Sequence, residues 1–268
     1  MKNITLLKNK FEKENAQKYC NVSDVNKCPD PKKECTCAIA AETKAYLHTI
    51  IPEPFYKYSI NDFDGRSKDD SEELIDARIA LAAKKKVIEY CWESVSIENI
   101  GSISSIELDK KSIICKRKDE CSNVVIHAGF SSGDDIRKGI FCPRGKTLIA
   151  SIIMKEAINS RTRGGIYSSQ TFDWIEFPIL ENMIKNKEDI SVSDIRSADW
   201  LVVDDIPYSK YYAKNLLDPF FLERLSDGLP SIFVFKFDVK KIIEEDILGV
   251  AISKVIHDPK TFFIKLSS

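Results

Sequence analysis

Two short stretches carry residue types suited to holding a phosphate chain. The first is Gly145-Lys146-Thr147. At the start of a helix, main-chain N–H groups and the helix N-terminus can cradle phosphates. A lysine there neutralises the outer phosphates, and a threonine hydroxyl binds Mg²⁺. The complete P-loop pattern, G-x-x-x-x-G-K-[ST], requires glycine at position 140. That residue is Ile140, and the nearest glycine is Gly139. The loop from Ile140 to Arg144 is therefore one residue out of register, and the tripeptide alone is equally compatible with a plain surface turn.

The second stretch is Trp200-Leu201-Val202-Val203-Asp204-Asp205. A continuous apolar run ending in carboxylates is the pattern of a buried parallel strand whose C-terminal end faces the crevice where α/β sheets bind ligands. In P-loop chemistry the first acid, Asp204, holds Mg²⁺, and the second, Asp205, polarises the attacking water. A strand that merely exits into a polar turn would read the same way. The two stretches reinforce one another because they occur in the expected order and context. Lys146 and Asp205 are the catalytic candidates. Gly145, Lys146, Thr147 and Asp204 are the nucleotide ligands, with Thr147 and Asp204 at Mg²⁺.

A third constellation is Cys20, Cys28, Cys35 and Cys37, in a stretch rich in lysine and nearly devoid of apolar residues. Such a stretch cannot build a core, and four thiolates can satisfy tetrahedral Zn²⁺. Free thiols are the other reading. With no secretory signal in the first residues, metal binding is favoured over disulfides. Cys91 and Cys142 read as core or loop residues, and Cys115 and Cys121 are left unassigned. His48, His127 and His257 are scattered and read as structural.

The surrounding pattern supplies elements to position these groups. Pro52 and Pro54 mark a boundary, dividing a basic helix and cysteine-rich head (1–50) from an α/β domain (51–268). Periodicity predicts helices over 71–94, 172–187 (interrupted at Pro178), 213–227 and 239–256. Strands are expected at 103–108, 112–115, 124–127, 200–206, 231–237 and 261–266, with Lys116–Glu120 as a hairpin turn. Strands alternating with helices imply a parallel sheet. Residues 129–139 and 161–169 read as loops.

The chain has 268 residues, 43% of them hydrophobic, which is sufficient for a substantial core. With 40 basic against 41 acidic residues, no global basic field is available for nucleic acid. Local patches remain: Lys84-Lys85-Lys86, Lys116-Arg117-Lys118, and Arg161 with Arg163. No apolar run is long enough to span a bilayer, so a cytoplasmic location is expected.

Taken in order, these features resemble the DnaC/DnaI/IstB branch of AAA+ ATPases, the helicase loaders and transposition helpers. The resemblance is carried by the cysteine-rich head, the lead-in Ile51-Pro52-Glu53-Pro54-Phe55-Tyr56-Lys57-Tyr58-Ser59-Ile60-Asn61-Asp62-Phe63, the Gly-Lys-Thr turn, Ala198–Ile206, and Leu222-Glu223-Arg224 followed by Gly228-Leu229-Pro230-Ser231-Ile232. It implies an AAA+ type P-loop sheet flanked by helices behind a zinc head. It also implies ATP and Mg²⁺ as cofactors, and self-association on single-stranded DNA with a replicative helicase as partner. It places Lys236 where the family carries a polar sensor, and Lys254 where it carries an arginine completing a neighbour's site. A lysine lacks the bidentate fork of arginine, so slow hydrolysis is expected. A degenerate P-loop adaptor without effective hydrolysis is the alternative.

Overall fold

The computed structural model describes residues 43–44, 47–53, 55–63, 77–92, 112–128, 145–164, 170–207, 214–239 and 249–266. The cysteine-rich head, the strand expected at 103–108 and the loop 129–139 lie outside these residues, as do Cys142 and the segment 140–144.

The described chain forms a five-stranded parallel sheet flanked by helices. In chain order the elements are α1 (Ala77–Cys91), α2 (Ile114–Asp119), β1 (Val124–His127), α3 (Lys146–Gly164), β2 (Phe172–Glu176), α4 (Phe177–Lys185), α5 (Asp189–Ser197), β3 (Trp200–Ile206), α6 (Lys214–Ser226), β4 (Ser231–Phe235), α7 (Gly249–His257) and β5 (Phe262–Lys265). The strand order is β2-β3-β4-β1-β5, and every neighbouring pair is parallel.

This order follows from side-chain type. VVIH, WLVVDDI and SIFVF are almost wholly buried and fill the three central places. FDWIE and FFIK are only partly buried and take the edges. Alternation within the strands then separates two cores. Val124, Ile126, Val202, Ile232 and Val234 face α1 and α3. Val125, Leu201, Val203, Phe233 and Phe235 face α4, α5, α6 and α7. Helix α3 is buried through most of its middle, from Ile149 to Ile158, as expected of a helix covered on several sides.

Two local readings change. Residues 112–120 are not a strand and hairpin: Ser112 makes one isolated bridge to Trp92, and Ile114–Asp119 is helical. The short run Ile113-Ile114 is ambiguous by periodicity, and burial of Ile114 in the α1–α3 core decides for helix. Residues 172–187 are not one helix. Phe172–Glu176 pairs with β3, and Pro178 opens α4 in its first turn rather than interrupting it. There the missing N–H costs nothing. Arg161 and Arg163 also belong to the backbone of α3, not to a loop.

The N-terminal edge of the sheet is closed by a buried cation. Arg224, on α6, is 1% exposed. Its guanidinium donates to the carbonyls of Arg196 (2.5 Å), Ala198 (2.8 Å) and Pro230 (2.8 Å) and to Ser231 Oγ (3.0 Å). Burial lowers its pKa to about 10, against the raising influence of Asp199, Asp173 and Asp227, so it stays charged at neutral pH. Nearby, Lys118 pairs with Asp199, which also accepts from the Thr171 N–H at 2.8 Å. Burial raises the Asp199 pKa, but these donors outweigh it and hold the carboxyl below its usual range. Helix α6 in turn fixes α7, because Asp218 accepts the N–H groups of Val250 (2.9 Å) and Ala251 (3.2 Å). Gly249 takes φ +72°, and any Cβ there would lie 2.5 Å from the Asp218 carboxylate.

Arg224→Ala leaves three carbonyls without their donor and is expected to destabilise the domain by about 3–5 kcal/mol. Arg224→Lys should recover only part of this, since an ammonium cannot span the same fork. Chemical denaturation of the three proteins measures both; equal stability of wild type and alanine variant would contradict the clamp.

Candidate functional site

Because all five strands are parallel, their C-terminal ends share one edge, and charged residues gather there. Glu176 ends β2, Asp204 and Asp205 lie near the end of β3, Lys236 follows β4, His127 ends β1 and Lys265 ends β5. Helix α3 begins at this edge with Lys146 and Thr147.

The structure joins the two phosphate-type motifs. The Thr147 hydroxyl, at the start of α3, faces the Asp204 carboxylate closely enough to hold its pKa down, although α3 follows β1 and Asp204 lies on β3. Lys146 is buried, at 8% exposure. Asp204 is 5% exposed. Burial pushes its pKa up to about 6. The Asp205 N–H and the Thr147 hydroxyl oppose that rise, while the charges of Asp205 and Glu176 add to it. The Asp205 N–H to Asp204 Oδ1 distance is 2.7 Å.

Asp205 has φ +61°, a conformation that aspartate tolerates better than most residues. It falls where the β3–β4 register shifts between Val203 and Ile206. The irregularity turns Asp205 away from the regular alternation, and its Oδ2 lies 3.0 Å from Lys236 Nζ. The Lys236 N–H donates to the Ile206 carbonyl at 3.0 Å, fixing both backbones beside this ion pair. Further along the edge, Asp238 lies 3.5 Å from His127 Nδ1 and 3.6 Å from Lys265 Nζ.

The lead-in segment supports the start of α3. Ser59 donates its N–H (2.8 Å) and hydroxyl (2.7 Å) to Asp62 Oδ2, closing the single 3₁₀ turn Ile60–Asp62. That turn delivers buried Phe63 to Gly145. Gly145 has φ +116°, and a Cβ there would lie 3.0 Å from the Phe63 ring. Strain and close approach both select glycine. Lys155, on α3, donates to the carbonyls of Tyr56 (3.0 Å) and Tyr58 (3.1 Å), and burial lowers its pKa. The Ser-x-x-Asp-Phe spacing thus has a mechanical reason.

Gly145, Lys146, Thr147, Asp204, Asp205 and Lys236 are therefore set along one edge. Lys254 is not brought to them. It is exposed on α7, and among the described residues no ion pair joins it to either aspartate. The basic tract 116–118 belongs to the opposite edge, where Lys118 binds Asp199 and Arg117 covers the rings of Tyr90 (5.5 Å) and Phe262 (5.9 Å). On α1, Lys86 pairs with Glu89 at 3.0 Å.

Glu176 was not legible as a site residue. It lies opposite Asp204 in the β2–β3 register, and only a strand reading of 172–176 would have placed it at this edge. Among the described residues, β1 is the strand that precedes α3 in the chain.

The donor set fits Mg²⁺. One carboxylate and one hydroxyl suffice for an ion that keeps several waters and takes further oxygens from phosphates. Among the described residues no group of three or more His, Cys, Asp or Glu side chains could hold a metal, so a closed all-protein metal cage is absent there. No described helix is long and apolar enough to cross a membrane.

No protein-family model matches the chain, and no curated protein matches it. Among solved structures, the chain is similar to DnaI, with 14% identity and a TM-score of 0.45, over 83% of this chain and 97% of that one. It is also similar to a candidate primosome component from Streptococcus pyogenes serotype M3, with 13% identity and a TM-score of 0.39, over 81% of this chain and 91% of that one. At that distance the chemistry of the site rests on its own side chains.

Folding raises the Asp204 pKa from 3.8 to about 6. Between these values the folded chain holds the proton more tightly than the unfolded chain. Stability from this group is therefore greatest below pH 4 and is lost as pH rises through 6. Asp204→Asn removes the buried charge, and should stabilise the ligand-free protein by about 1–3 kcal/mol at pH 8 but scarcely at pH 4. Denaturation at both pH values checks this; a destabilised variant at pH 8 would refute the assignment.

Proposed function

We propose that this chain is a P-loop nucleotide-binding protein of the helicase-loader type, using ATP to assemble with further copies on single-stranded DNA beside a replicative helicase. The observation that carries the nucleotide reading is the approach of the Thr147 hydroxyl to the Asp204 carboxylate, residues far apart in sequence. It brings the hydroxyl and carboxylate suited to Mg²⁺ together at the N-terminus of a 19-residue helix.

In this reading, the first N–H groups of α3 and the Lys146 ammonium bind the phosphates. Thr147 and Asp204 would hold Mg²⁺, which would supply charge neutralisation for the phosphate oxygens. Asp205 orients the attacking water, and Lys236 lies within reach of the same region. Gly145 allows the backbone to approach the ligand, and Phe63 holds that turn from behind. Lys254, exposed on a helix fixed by Asp218, suits contact with a neighbouring copy. The cysteine head would hold Zn²⁺ and grip the helicase; the DNA and helicase roles rest on the sequence resemblance.

The second reading, a nucleotide-responsive adaptor without effective hydrolysis, is favoured by one feature: the Asp205 carboxylate is already paired with Lys236.

Binding of a fluorescent ATP analogue with Mg²⁺ tests the reading. Wild type should bind in the micromolar range. Lys146→Ala should weaken binding by about tenfold or more, the scale of a lost charge-assisted contact. Absence of binding by wild type would reduce the Gly-Lys-Thr turn to a structural feature. Metal analysis of the full chain should find about one zinc, as a four-thiolate site requires.

A further inference from the structure

Strand β2 ends the sheet on one side, and among the described residues it pairs with β3 alone. The Trp200 N–H donates to the Thr171 carbonyl at 3.1 Å. Thr171 and, by alternation, Asp173 and Ile175 therefore direct their main-chain groups toward β3, while Trp174 and Glu176 direct theirs outward. An edge of aromatic and β-branched residues with outward N–H and C=O groups is a template for another strand. The middle of this edge is covered by the strand's own side chain: the Trp174 N–H donates to Asp173 Oδ1 at 2.7 Å. Asp173 is partly buried. Burial pushes its pKa up to about 6, opposed by the Trp174 N–H and by Arg224 on α6, while the charge of Asp194 on α5 adds to the rise.

Two identical edges brought together by a two-fold axis run antiparallel. With the axis at Trp174, the two copies of that residue face each other and exchange both main-chain hydrogen bonds. The strand is thus self-complementary at the residue whose N–H the Asp173 carboxylate occupies. The same axis makes the two Asp173 carboxylates diagonal neighbours on one face, where like charges repel.

We propose that the outer edge of β2 is a pairing surface for β2 of a second copy of this chain, antiparallel about Trp174, and that the Asp173 carboxylate keeps it closed by holding the Trp174 N–H. This pairing does not rest on the nucleotide reading. Protonation of Asp173 removes the repulsion and leaves a weaker, neutral acceptor, so the edge opens as pH falls through about 6.

Sedimentation velocity of the full chain without nucleotide, over a concentration series, tests this together with hydrogen exchange at Phe172–Glu176. Asp173→Asn, a neutral isostere, should self-associate about tenfold or more tightly than wild type at pH 8. Wild type at pH 5 should show the same gain, and in both cases the Trp174 amide should become protected as the dimer forms. Adding Glu176→Pro to Asp173→Asn should abolish the gain. Glu176 already has φ −76° and ψ 135°, which proline adopts, and a ring on the outward side bars an incoming strand. Circular dichroism checks the fold of each protein; if acid unfolds the wild type, Asp173→Asn at pH 8 decides alone. Self-association of Asp173→Asn no tighter than that of wild type would overturn the proposal. So would association that persists with Glu176→Pro, or that leaves the Trp174 amide unprotected.

Discussion

Parallel pairing is the constraint on which the rest depends. Five strands running in one direction must each be returned to the starting edge by a connection outside the sheet, so helices cover both faces and every strand ends on the same side. The two edges thereby become different environments. Chain segments leave toward the helices at one edge and arrive at the other. Residues remote in sequence, such as Thr147 and Asp204, or Asp205 and Lys236, meet because these strands finish together.

The two edges handle charge in opposite ways. At the N-terminal edge, Arg224 is fully surrounded by carbonyl acceptors, and Asp199 is matched by Lys118 and Thr171. The charges there are compensated, and they hold the returning segments in place. At the C-terminal edge, Asp204 is buried beside two further acids, Asp205 and Glu176, and its pKa is pushed up. A buried carboxylate held in that condition is less stable than a neutral isostere, and it becomes favourable when a cation joins it. A raised carboxyl is not confined to that edge, since burial also pushes Asp173, near the start of β2, up to about 6; what distinguishes the C-terminal edge is the gathering of three acids with the start of α3.

Support for the site comes from outside the sheet. Phe63 rests on Gly145, and Lys155 ties the segment before it to α3. The short Ser59–Asp62 turn sets the angle at which Phe63 arrives. Asp218 performs a similar task for α7, fixing its first turn against α6. Lys155 and Asp218 thus each use one polar group on a helix to fix the backbone of another segment.

The sequence by itself determined the central strands, the helices α3 and α6 between them and the two phosphate-type motifs, but not the helix α5. Continuous apolar runs such as SIFVF, and long helical periodicity, have few alternatives. It left β2 concealed, since FDWIE is short, an edge strand, and runs directly into a helix whose proline read as an interruption. It could not place Glu176 beside Asp204, nor separate the basic tract of α2 from a free patch. The tertiary structure alone decided those matters, together with the pairing of Lys236 with Asp205 and the burial of Asp204. Their physical reason is the same throughout: strand order, register and solvent exclusion are properties of contacts between distant segments, which local composition does not contain.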